Sequence, residues 1–534
     1  GGPYKITISY IGYQTKTETI QQLSLGQNFR LNATLMEEAI SLGEVVISGA
    51  KDELMNSDRT GAATNINKAA LESMPTIGRS INDFVRLTPQ SRSSSVASTT
   101  GSGVSFGGQD SRYNNLTIDG SIFNNNFGLS SSPGGQTNST PISLDAIAEI
   151  QVNLAPYDVR QAGFTGAGIN AVTRSGTNKV EGSVFYNFRN QSMVGKNAGA
   201  NPLVITDFDV KQIGLRLGGP IIKDKLFWFV NWESERRADP TTLTAFRDSA
   251  SRNSNTTRVT AKDLDDISKL VKEKWGYETG GYDNYVNETK SDKGLFKLDY
   301  NISNGHRLSF RYNFLKSTRD VFISNSGTVT SGSNRNSINA LSYKNSNYII
   351  NNDVHSYIAE LNSIFSSRVS NSFSVGYTAN RDYRSSNSSV IPLIDILDGS
   401  NNQYISLGYE PFTPNNTLNT DVSQFQDNLT FYLNNHTLTA GVNYETFAFD
   451  NLFTPTFYGQ YVFNNINDFK NALNGDSVAL RRYALNYSAL PNQELPWATT
   501  KVQMPGAYLQ DEISLLNNKL SLTVGVRIVV PIFV

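Results

Sequence analysis

The sequence predicts a mainly β protein in which part of an antiparallel β-barrel follows a domain of mixed α and β structure. Three observations lead to this fold class. Alternating apolar and polar residues recur in one segment after another from residue 176 to 534. These segments come in pairs that tight polar turns join, and long connections separate the pairs. Short helical and strand patterns with Gly- and Ser-rich loops precede them over residues 55–175.

The composition excludes several kinds of site. The 534 residues include no cysteine, so a disulfide framework, a thiolate metal site and a cysteine nucleophile are excluded. The 47 acidic and 46 basic residues nearly cancel, and nothing argues for a nucleic-acid partner. The three histidines, His306, His355 and His436, have no neighbouring ligand at metal spacing, and no Ser/His/Asp set is evident. The sequence therefore predicts no enzyme, no metal site and no cofactor.

The first 38 residues predict the tail of a small β-sandwich. Residues 4–10 and 29–35 show strand patterns, and Gly12-Tyr13 lies between them. A segment this short cannot bury a core by itself, so we expect the remainder of that domain to belong to a longer chain. The start of the chain shows neither the basic segment nor the apolar run of a signal peptide, as expected after processing or partway along a longer protein.

Residues 55–175 predict a compact α+β domain. Residues 79–87 fit a short amphipathic helix that places Phe84 and Val85 on its apolar side, with Pro89 beyond its end. Residues 116–118 form a predicted strand that the turn Asp119-Gly120 ends, and residues 147–154 form another. The glycines near residues 101–108 lack the Lys-Ser/Thr pair of a phosphate-binding loop, so tight turns explain them better.

The later segments alternate strictly between apolar and polar side chains. Phe296, Leu298 and Tyr300, for example, enclose Lys297 and Asp299. A soluble sandwich would show the same alternation, so the pattern alone does not settle the environment. No run approaches the roughly 18 apolar residues of a membrane-spanning helix, whereas spanning strands need only about 9 to 11 residues, half of them polar. We expect the inward polar residues to hydrogen-bond the preceding domain or water: Arg216, Lys297, Asp299, Arg311 and Glu445.

The lengths of the connections favour a transmembrane barrel. Short turns alternate with long loops, as in outer-membrane barrels, and compact soluble domains rarely repeat loops of this length. The pattern contains about eleven strands, and this odd number predicts an open sheet whose last strand, 519–528, is an unpaired edge. The tight turns centre on Lys223-Asp224, Asn304-Gly305, Ser366-Ser367, Asn434-Asn435 and Asn517-Asn518, and the long connections are approximately 237–291, 319–354, 385–420 and 450–503.

Three segments within residues 35–190 carry a resemblance to a known family. The first is the short run Glu44, Val45, Val46, Ile47, Ser48 and Gly49. The second lies within 106–120 and includes Gly107, Gly108, Arg112, Asn115, Ile118, Asp119 and Gly120. The third is residues 147–152 together with 163–175. They resemble, in this order, the TonB box, the plug signature and the last plug strands of the TonB-dependent transporters, in particular the Oar-like branch of Bacteroidetes. Residues 1–38 are similar to the end of the carboxypeptidase-regulatory-like domain that precedes the plug in that branch.

The resemblance implies a domain order and a set of partners. It divides the chain into a sandwich tail (1–38), a TonB-box linker (39–54), a plug (55–175) and the first part of a barrel (176–534). The complete barrel would have about 22 strands, of which about eleven are present. The implied partners are TonB with its inner-membrane complex, outer-membrane lipid and a possible surface lipoprotein.

The implied function is plug-gated active transport of a ligand across the bacterial outer membrane, energised through the TonB box. Two alternatives stay open: a passive outer-membrane channel, and a surface adhesin or structural barrel. An exposed, β-branched run such as 44–49 suits strand addition to a partner's sheet edge, although it could also be an ordinary linker strand. The ligand is open, because loops rich in Asn, Tyr and Ser suit sugars and peptides equally.

Overall fold

A large antiparallel sheet dominates the computed structural model. It has 12 strands, of which eleven form a continuous meander in chain order, as the alternation predicts. Within the described residues, the first and last strands of the meander are not paired with each other, so the predicted open sheet is confirmed. The structure describes residues 4–10, 13, 15–20, 31, 33–35, 63–74, 76, 78–93, 103–199, 201–202, 207–250, 252–330, 332–516 and 520–534.

The eleven strands of the meander are labelled β1 to β11. A further short strand, Ile532–Phe533, pairs with β10 beyond the end of β11. The strands are β1 Glu181–Asn190, β2 Asp209–Ile222, β3 Leu226–Pro240, β4 Val286–Ser303, β5 His306–Val321, β6 Tyr348–Ser366, β7 Val369–Ser386, β8 Thr417–Leu433, β9 His436–Leu452, β10 Ala498–Leu515 and β11 Leu520–Val529.

The two faces of this sheet differ as the sequence predicts. In β5, Arg311, Asn313 and Leu315 are each 1% exposed, whereas the intervening Phe310 is 37% exposed. Successive side chains of a strand point to opposite faces, so the mainly polar row faces inward and the apolar row faces outward. An outward apolar row and an inward polar row are the arrangement of a transmembrane barrel wall.

Short turns join the strands at one end of the sheet, and long connections lie at the other end. Asp224 and Asn434 occupy the turns with positive φ angles of 62° and 47°. Asp and Asn tolerate this left-handed conformation better than most residues, which explains why the turns can be so tight. Within the described chain, no helix is long and apolar enough to cross a membrane.

Residues 63–173 form a second unit, which we call the inner domain. Its sheet contains five strands, and its hydrophobic core includes Phe229, Leu295, Leu315 and Val354 from the barrel wall. The inner domain is therefore packed against the inward face of the large sheet. The strand order in its sheet is Ala63–Ile66, Ile147–Asn153, Gly168–Thr173, Asn115–Ile118 and Ser121–Ile122, and a separate pair joins Ser91–Ser93 to Val104–Phe106.

The described part of the inner domain also contains two short α-helices, α1 (Lys68–Ser73) and α2 (Ile81–Val85), and three 3-10 helices, Ser111–Tyr113, Gly135–Thr137 and Leu144–Ala146. The helix α2 is shorter than the predicted span of 79–87. Ser80 caps it through a capping box with Asp83, and Arg79 has a φ of 48°, which excludes it from a right-handed helix. The capping residue, rather than the apolar periodicity, therefore sets where the helix begins.

The long connections fold together into a third unit, which we call the outer domain. It comprises residues 241–285, 322–347, 387–416 and 453–497 within the described chain. Its two α-helices are α3 (Ala261–Trp275) and α4 (Ile466–Leu473). The five-stranded sheet of the domain has the order Leu341–Ser342, Gln403–Leu407, Leu393–Leu397, Gln460–Phe463 and Leu480–Ala484.

The outer domain has its own core. Side chains of α3 such as Leu264, Ile267 and Val271 pack with strand residues from the other connections. At its centre Arg335 donates two hydrogen bonds to Asp395, at 2.9 and 2.8 Å, and both side chains are almost fully buried. Burial alone would raise the pKa of Asp395, but Arg335 and the hydrogen bonds to the carboxylate hold that pKa below its ordinary value.

The remaining short strands lie near the start of the chain and within the connections. The segment predicted to be a sandwich tail is described only in part, and its strand Lys16–Ile20 is mostly polar, so alternation does not predict it. Residues 29–30 and the TonB-box run 44–49 lie outside the described residues. The short pairs are Tyr4–Ile8 with Lys16–Ile20, Asn197–Ala198 with Asn201–Pro202, and Thr244–Phe246 with Thr256–Thr260.

Candidate functional site

A two-residue turn from the plug signature contacts the inward face of the barrel sheet. Asp119 and Gly120 have φ angles of 45° and 80° and join the hairpin strands Asn115–Ile118 and Ser121–Ile122. Two consecutive left-handed residues are what a tight hairpin turn of this kind requires, and Asp-Gly is one of the pairs that adopt it most readily. The local sequence thus places the Asp119 carboxylate at a projecting corner of the inner domain.

The Asp119 carboxylate lies between one strand of the inner domain and two strands of the barrel. The backbone N–H of Thr173 donates to Oδ1 at 2.8 Å, and the Thr173 hydroxyl donates to Oδ2 at 2.5 Å. Lys297 Nζ on β4 and an Arg311 guanidinium nitrogen on β5 each lie 3.6 Å from Oδ2. Arg311 also donates to the carbonyl oxygen of Ile118 at 2.6 Å. The turn is therefore held by charge and by hydrogen bonds together.

The electrostatics of this cluster favour an ionised carboxylate. Burial alone would raise the pKa of Asp119, but Lys297, Arg311 and the two hydrogen bonds from Thr173 hold it below its ordinary value. The side chains of Lys297 and Arg311 are 8% and 1% exposed, so each cation depends on Asp119 for compensation.

A second buried ion pair lies on the same wall, nearer to the long connections. Lys293 Nζ on β4 is 3.1 Å from Glu233 on β3, and the two side chains are 4% and 1% exposed. The Ser143 hydroxyl of the inner domain donates to Glu233 at 2.6 Å, and Lys293 donates to the Thr140 hydroxyl at 3.2 Å. Hydrogen bonds from residues 140–143 thus tie the inner domain to a charge pair within the wall.

Neutral hydrogen bonds extend the interface to the later strands. Gln424 on β8 donates to the carbonyl oxygen of Gly120 at 2.8 Å and accepts from the backbone N–H of Ile122 at 2.9 Å. Hydroxyl groups of Ser121 and Ser356 on β6 lie 3.0 Å apart. The Gln424 side chain thus bonds one backbone C=O and one backbone N–H of the hairpin, as a neighbouring strand would, and so fixes the position of the hairpin.

The last strands contact a different part of the inner domain. The backbone N–H of Val159 donates to Gln510 on β10 at 2.9 Å, and Arg527 on β11 donates to the Val159 carbonyl oxygen at 2.8 Å. Arg527 also donates to Asn443 on β9 at 2.9 Å. The inner domain is thus fastened from β3 to β11, across most of the described sheet.

A cavity of about 680 Å³ separates the inner domain from the first two barrel strands. The carboxylate of Glu72, at the end of α1, is 3.1 Å from Arg174 and 3.8 Å from Arg216 on β2. At the same wall the Arg79 guanidinium is 2.7 Å from Asp145 and lies 4.0 Å from the ring centre of Phe185. This is the side on which the N-terminal part of the inner domain meets the barrel.

The structure brings together only some of the signature residues. Ile118, Asp119 and Gly120 lie at the barrel wall, and the side chain of Asn115 donates to the Ala162 carbonyl oxygen at 2.9 Å within the inner domain. The others are surface residues: Gly107 and Gly108 form an exposed turn with φ angles of 56° and 83°, and Arg112 pairs with Asp110 at 3.0 Å.

Several interface residues were not singled out from the sequence. Thr173, Glu233, Lys293 and Gln424 each contact a partner across the boundary of the inner domain or complete its ion pairs. The inward positions of Glu233 and Lys293 follow from the alternation of β3 and β4, so that pattern could have pointed to them. Within the described ranges, no three His, Asp or Glu side chains are grouped as metal ligands would be.

Comparison with known proteins agrees with this architecture. A family model described as an outer membrane beta barrel domain matches residues 172–530. The TonB-dependent transporter Oar of Myxococcus xanthus is 26% identical over 331 residues, which are 58% of this chain and 28% of that protein. The chain therefore spans much less than the full length of this relative.

Solved structures of outer-membrane transporters share the fold. The transporter YddB from Escherichia coli gives a TM-score of 0.59 at 15% identity, over 88% of this chain and 56% of that chain. The siderophore receptor PirA from Acinetobacter baumannii gives 0.51 at 15% identity, over 88% and 57%. Together with the outward apolar face of the sheet and the family match, these likenesses show that the chain is an outer-membrane protein of the β-barrel domain family.

Proposed function

We propose that this chain is part of a TonB-dependent transporter that carries a ligand actively across the outer membrane, with the inner domain as its plug. The observation that carries the proposal is the buried contact of the Asp119-Gly120 turn with Lys297, Arg311 and Gln424. A folded domain held in this way occupies the space inside the wall. Transport past it then requires a controlled rearrangement, for which an energy source is needed.

The proposed energy input is TonB, which would bind residues 44–49. These residues precede Ala63–Ile66, an edge strand of the inner sheet. In the proposed cycle a ligand binds the outer domain and the outer surface of the plug, and TonB then adds a strand to the segment 44–49. Force on that segment reaches the inner domain through the edge strand and α1, next to the 680 Å³ cavity.

The proposed function includes a division of the chain into four segments: 1–38, 39–54, 55–175 and 176–534. It also includes three proposed partners, which are TonB, outer-membrane lipid and a surface lipoprotein. The similarity to Oar of Myxococcus xanthus supports the transporter assignment. A passive channel is disfavoured because the inner domain is packed against the inward face of the wall from β3 to β11. A surface adhesin would use the outer domain, but it offers no reason for an ion-paired inner domain.

A proline substitution in the segment 44–49 tests the proposal. Strand addition needs free backbone N–H groups, and proline removes one of them and fixes φ. In the full-length protein, Val46→Pro should abolish energised uptake while ligand binding at the cell surface and membrane insertion stay normal. Val46→Ala keeps the backbone donor and is the matched control. Normal uptake by the proline variant would leave residues 44–49 as a linker and remove the assignment.

A further inference from the structure

Five aromatic side chains gather at the base of the outer domain without joining its core, and we call them the aromatic platform. Tyr409 and Phe412 come shortly before β8, and Phe453, Phe457 and Tyr458 follow directly after β9. The rings of Phe412 and Phe453 are stacked, with centres 6.5 Å apart and planes 16° apart. The rings of Tyr409 and Tyr458 meet edge to face at 5.1 Å. None of the five is part of the outer domain's hydrophobic core.

Two of these rings, Phe457 and Tyr458, directly follow a strained turn at Thr456. Thr456 has a φ of 57°, and it is the only β-branched residue with a positive φ in the described ranges. Its N–H donates to the Pro411 carbonyl oxygen at 2.5 Å, and its own carbonyl oxygen accepts from Gly459 at 2.9 Å. A conformation this costly persists where the surroundings enforce it, and such residues cluster at functional sites. Phe457 and Tyr458 follow at once, with ring centres 5.6 Å apart.

The aromatic surface continues toward the inner domain. Phe449 lies on the inward face of β9, in register with the buried Asn443 and Phe447, four residues before Phe453. Four strand residues span about 13 Å. The Phe449 ring lies 5.8 Å from that of Phe127, which belongs to the inner domain. Phe453 and Phe127, at the two ends of this path, are 48% and 44% exposed.

The platform carries no exposed charge. In residues 409–416 and 453–459 the only carboxylate is Glu410, no lysine, arginine or histidine is present, and Glu410 is 0% exposed. Its carboxylate accepts hydrogen bonds from the Phe412 backbone and the Thr413 hydroxyl, at 2.9 and 2.7 Å. A charged ligand that stacks on these rings would lose hydration without meeting an opposite charge from either segment.

Uncharged polar groups accompany the rings. Both segments also contain hydroxyl or amide side chains, namely Thr413, Asn415, Asn416, Thr454 and Thr456. The Thr454 hydroxyl and the Asn415 side-chain nitrogen are buried without a hydrogen-bond partner in the described part of the protein. A ligand with a flat apolar face and a rim of hydroxyl groups matches both features, because the face stacks on the rings and the rim meets hydroxyls and amides.

We propose that the aromatic platform, with Phe449 and Phe127 below it, binds a neutral oligosaccharide and guides it from the outer domain to the inner domain. The pyranose ring has such a face, formed by C–H groups, and such a rim. The proposal rests on the proposed transport function and names its substrate class.

The test uses the full-length protein in its outer membrane and measures equilibrium binding of fluorescently labelled neutral hexasaccharides built from glucose, xylose or mannose. We expect at least one to bind. Phe453→Leu and Phe457→Leu keep apolar bulk but remove the ring, and each should weaken binding about three- to tenfold. Phe453→Tyr keeps an aromatic ring at this position and should bind the saccharide as tightly as the unaltered protein. Phe425→Leu on β8 removes an outward, lipid-facing ring and should have no effect; protease resistance verifies the fold of every variant.

The outcomes separate this inference from the transport function. Three results would each overturn the oligosaccharide proposal. None of the neutral hexasaccharides binds, or the protein prefers an anionic ferric catecholate. The third is an unchanged affinity in the folded Phe453→Leu and Phe457→Leu variants. Saccharide binding that survives in Val46→Pro while uptake is lost supports both proposals. Platform-dependent binding combined with uptake that does not need TonB would keep the inference and remove the energised mechanism.

Discussion

At the scale of single residues, Asp119 connects the local sequence to the tertiary interface. The Asp-Gly pair determines the turn, and the turn projects the carboxylate into a site that two barrel cations and Thr173 complete. Two cations against one carboxylate leave little tolerance for its loss, because an unpaired charge in a buried site is costly.

Asp119→Asn should therefore loosen the inner domain. The change leaves Lys297 and Arg311 buried without their anion, and breaking a buried pair typically costs roughly 3–5 kcal/mol. Hydrogen exchange of residues 115–122 in the full-length protein would measure the loss. Asp110→Asn is the control, because the Asp110–Arg112 pair in the same signature is exposed and should contribute little. Unchanged exchange in Asp119→Asn would contradict the role of the ion pair.

The pH dependence of docking follows from the lowered pKa of Asp119. A carboxyl group with a depressed folded-state pKa adds stability above its unfolded pKa, and this is lost as the pH falls through the folded value. Docking should thus hold at neutral pH and weaken only below the ordinary titration range of an aspartate. Protease protection of the inner domain against pH measures this, and Asp119→Asn should flatten the acidic limb.

At the scale of elements, neighbouring positions of one strand face different environments. Ser309 and Phe310 on β5 are adjacent, yet the first faces inward opposite Asp299 and the second is 37% exposed on the outward face. The alternation along the strand thus determines which side chains face lipid and which face the inside of the barrel.

Phe310→Arg should cost about 2–4 kcal/mol if the position lies near the bilayer midplane. Ser309→Arg places the same group inside, near a carboxylate, and should cost much less. Folding of the full-length variants in lipid vesicles, followed by urea titration, compares the two. Equal costs would indicate that the sheet has no lipid-facing side.

The long connections that form the outer domain fold together, although their sequences resemble separate loops. The buried Arg335–Asp395 pair links two connections, and Gln460 from a third also donates to Asp395, at 2.7 Å. Three connections therefore share one polar centre, and the fourth joins them through the α3 side chains in the common core, so the connections depend on one another.

Asp395→Ala should unfold the outer domain locally and leave the barrel intact. Removing one partner of a buried pair costs roughly 3–5 kcal/mol, more than a small domain can easily lose. Limited proteolysis should then cleave within the connections 322–347, 387–416 and 453–497 while the barrel strands between them stay protected. Lys262→Ala removes an exposed helix pair with Asp266 and serves as the neutral control.

At the scale of the whole molecule, the inner domain is fastened to strands from β3 to β11. Ion pairs, amide contacts and a shared apolar core act together, so a single weak point does not release it. This arrangement predicts a barrel that is closed to solutes at rest.

Deletion of residues 63–173 from the full-length protein should therefore convert a closed barrel into a passive pore. Reconstituted in liposomes, the intact protein should give little swelling with small sugars, and the deletion variant should swell rapidly. Comparable swelling of the two would favour the passive-channel alternative instead.

The sequence by itself determined the fold class, the number of long strands, their inward and outward faces and the Asp119-Gly120 turn. These are local properties: alternation of side chains and turn chemistry act over a few residues, so they can be read without the fold. It also placed Lys297 and Arg311 inside the barrel, but not their partner. Only the tertiary structure decided that both meet Asp119, that four long connections share one core, and that Phe127 of the inner domain contacts Phe449 of the barrel. Those contacts join residues tens to hundreds of positions apart, and no local pattern records which distant segments pack together.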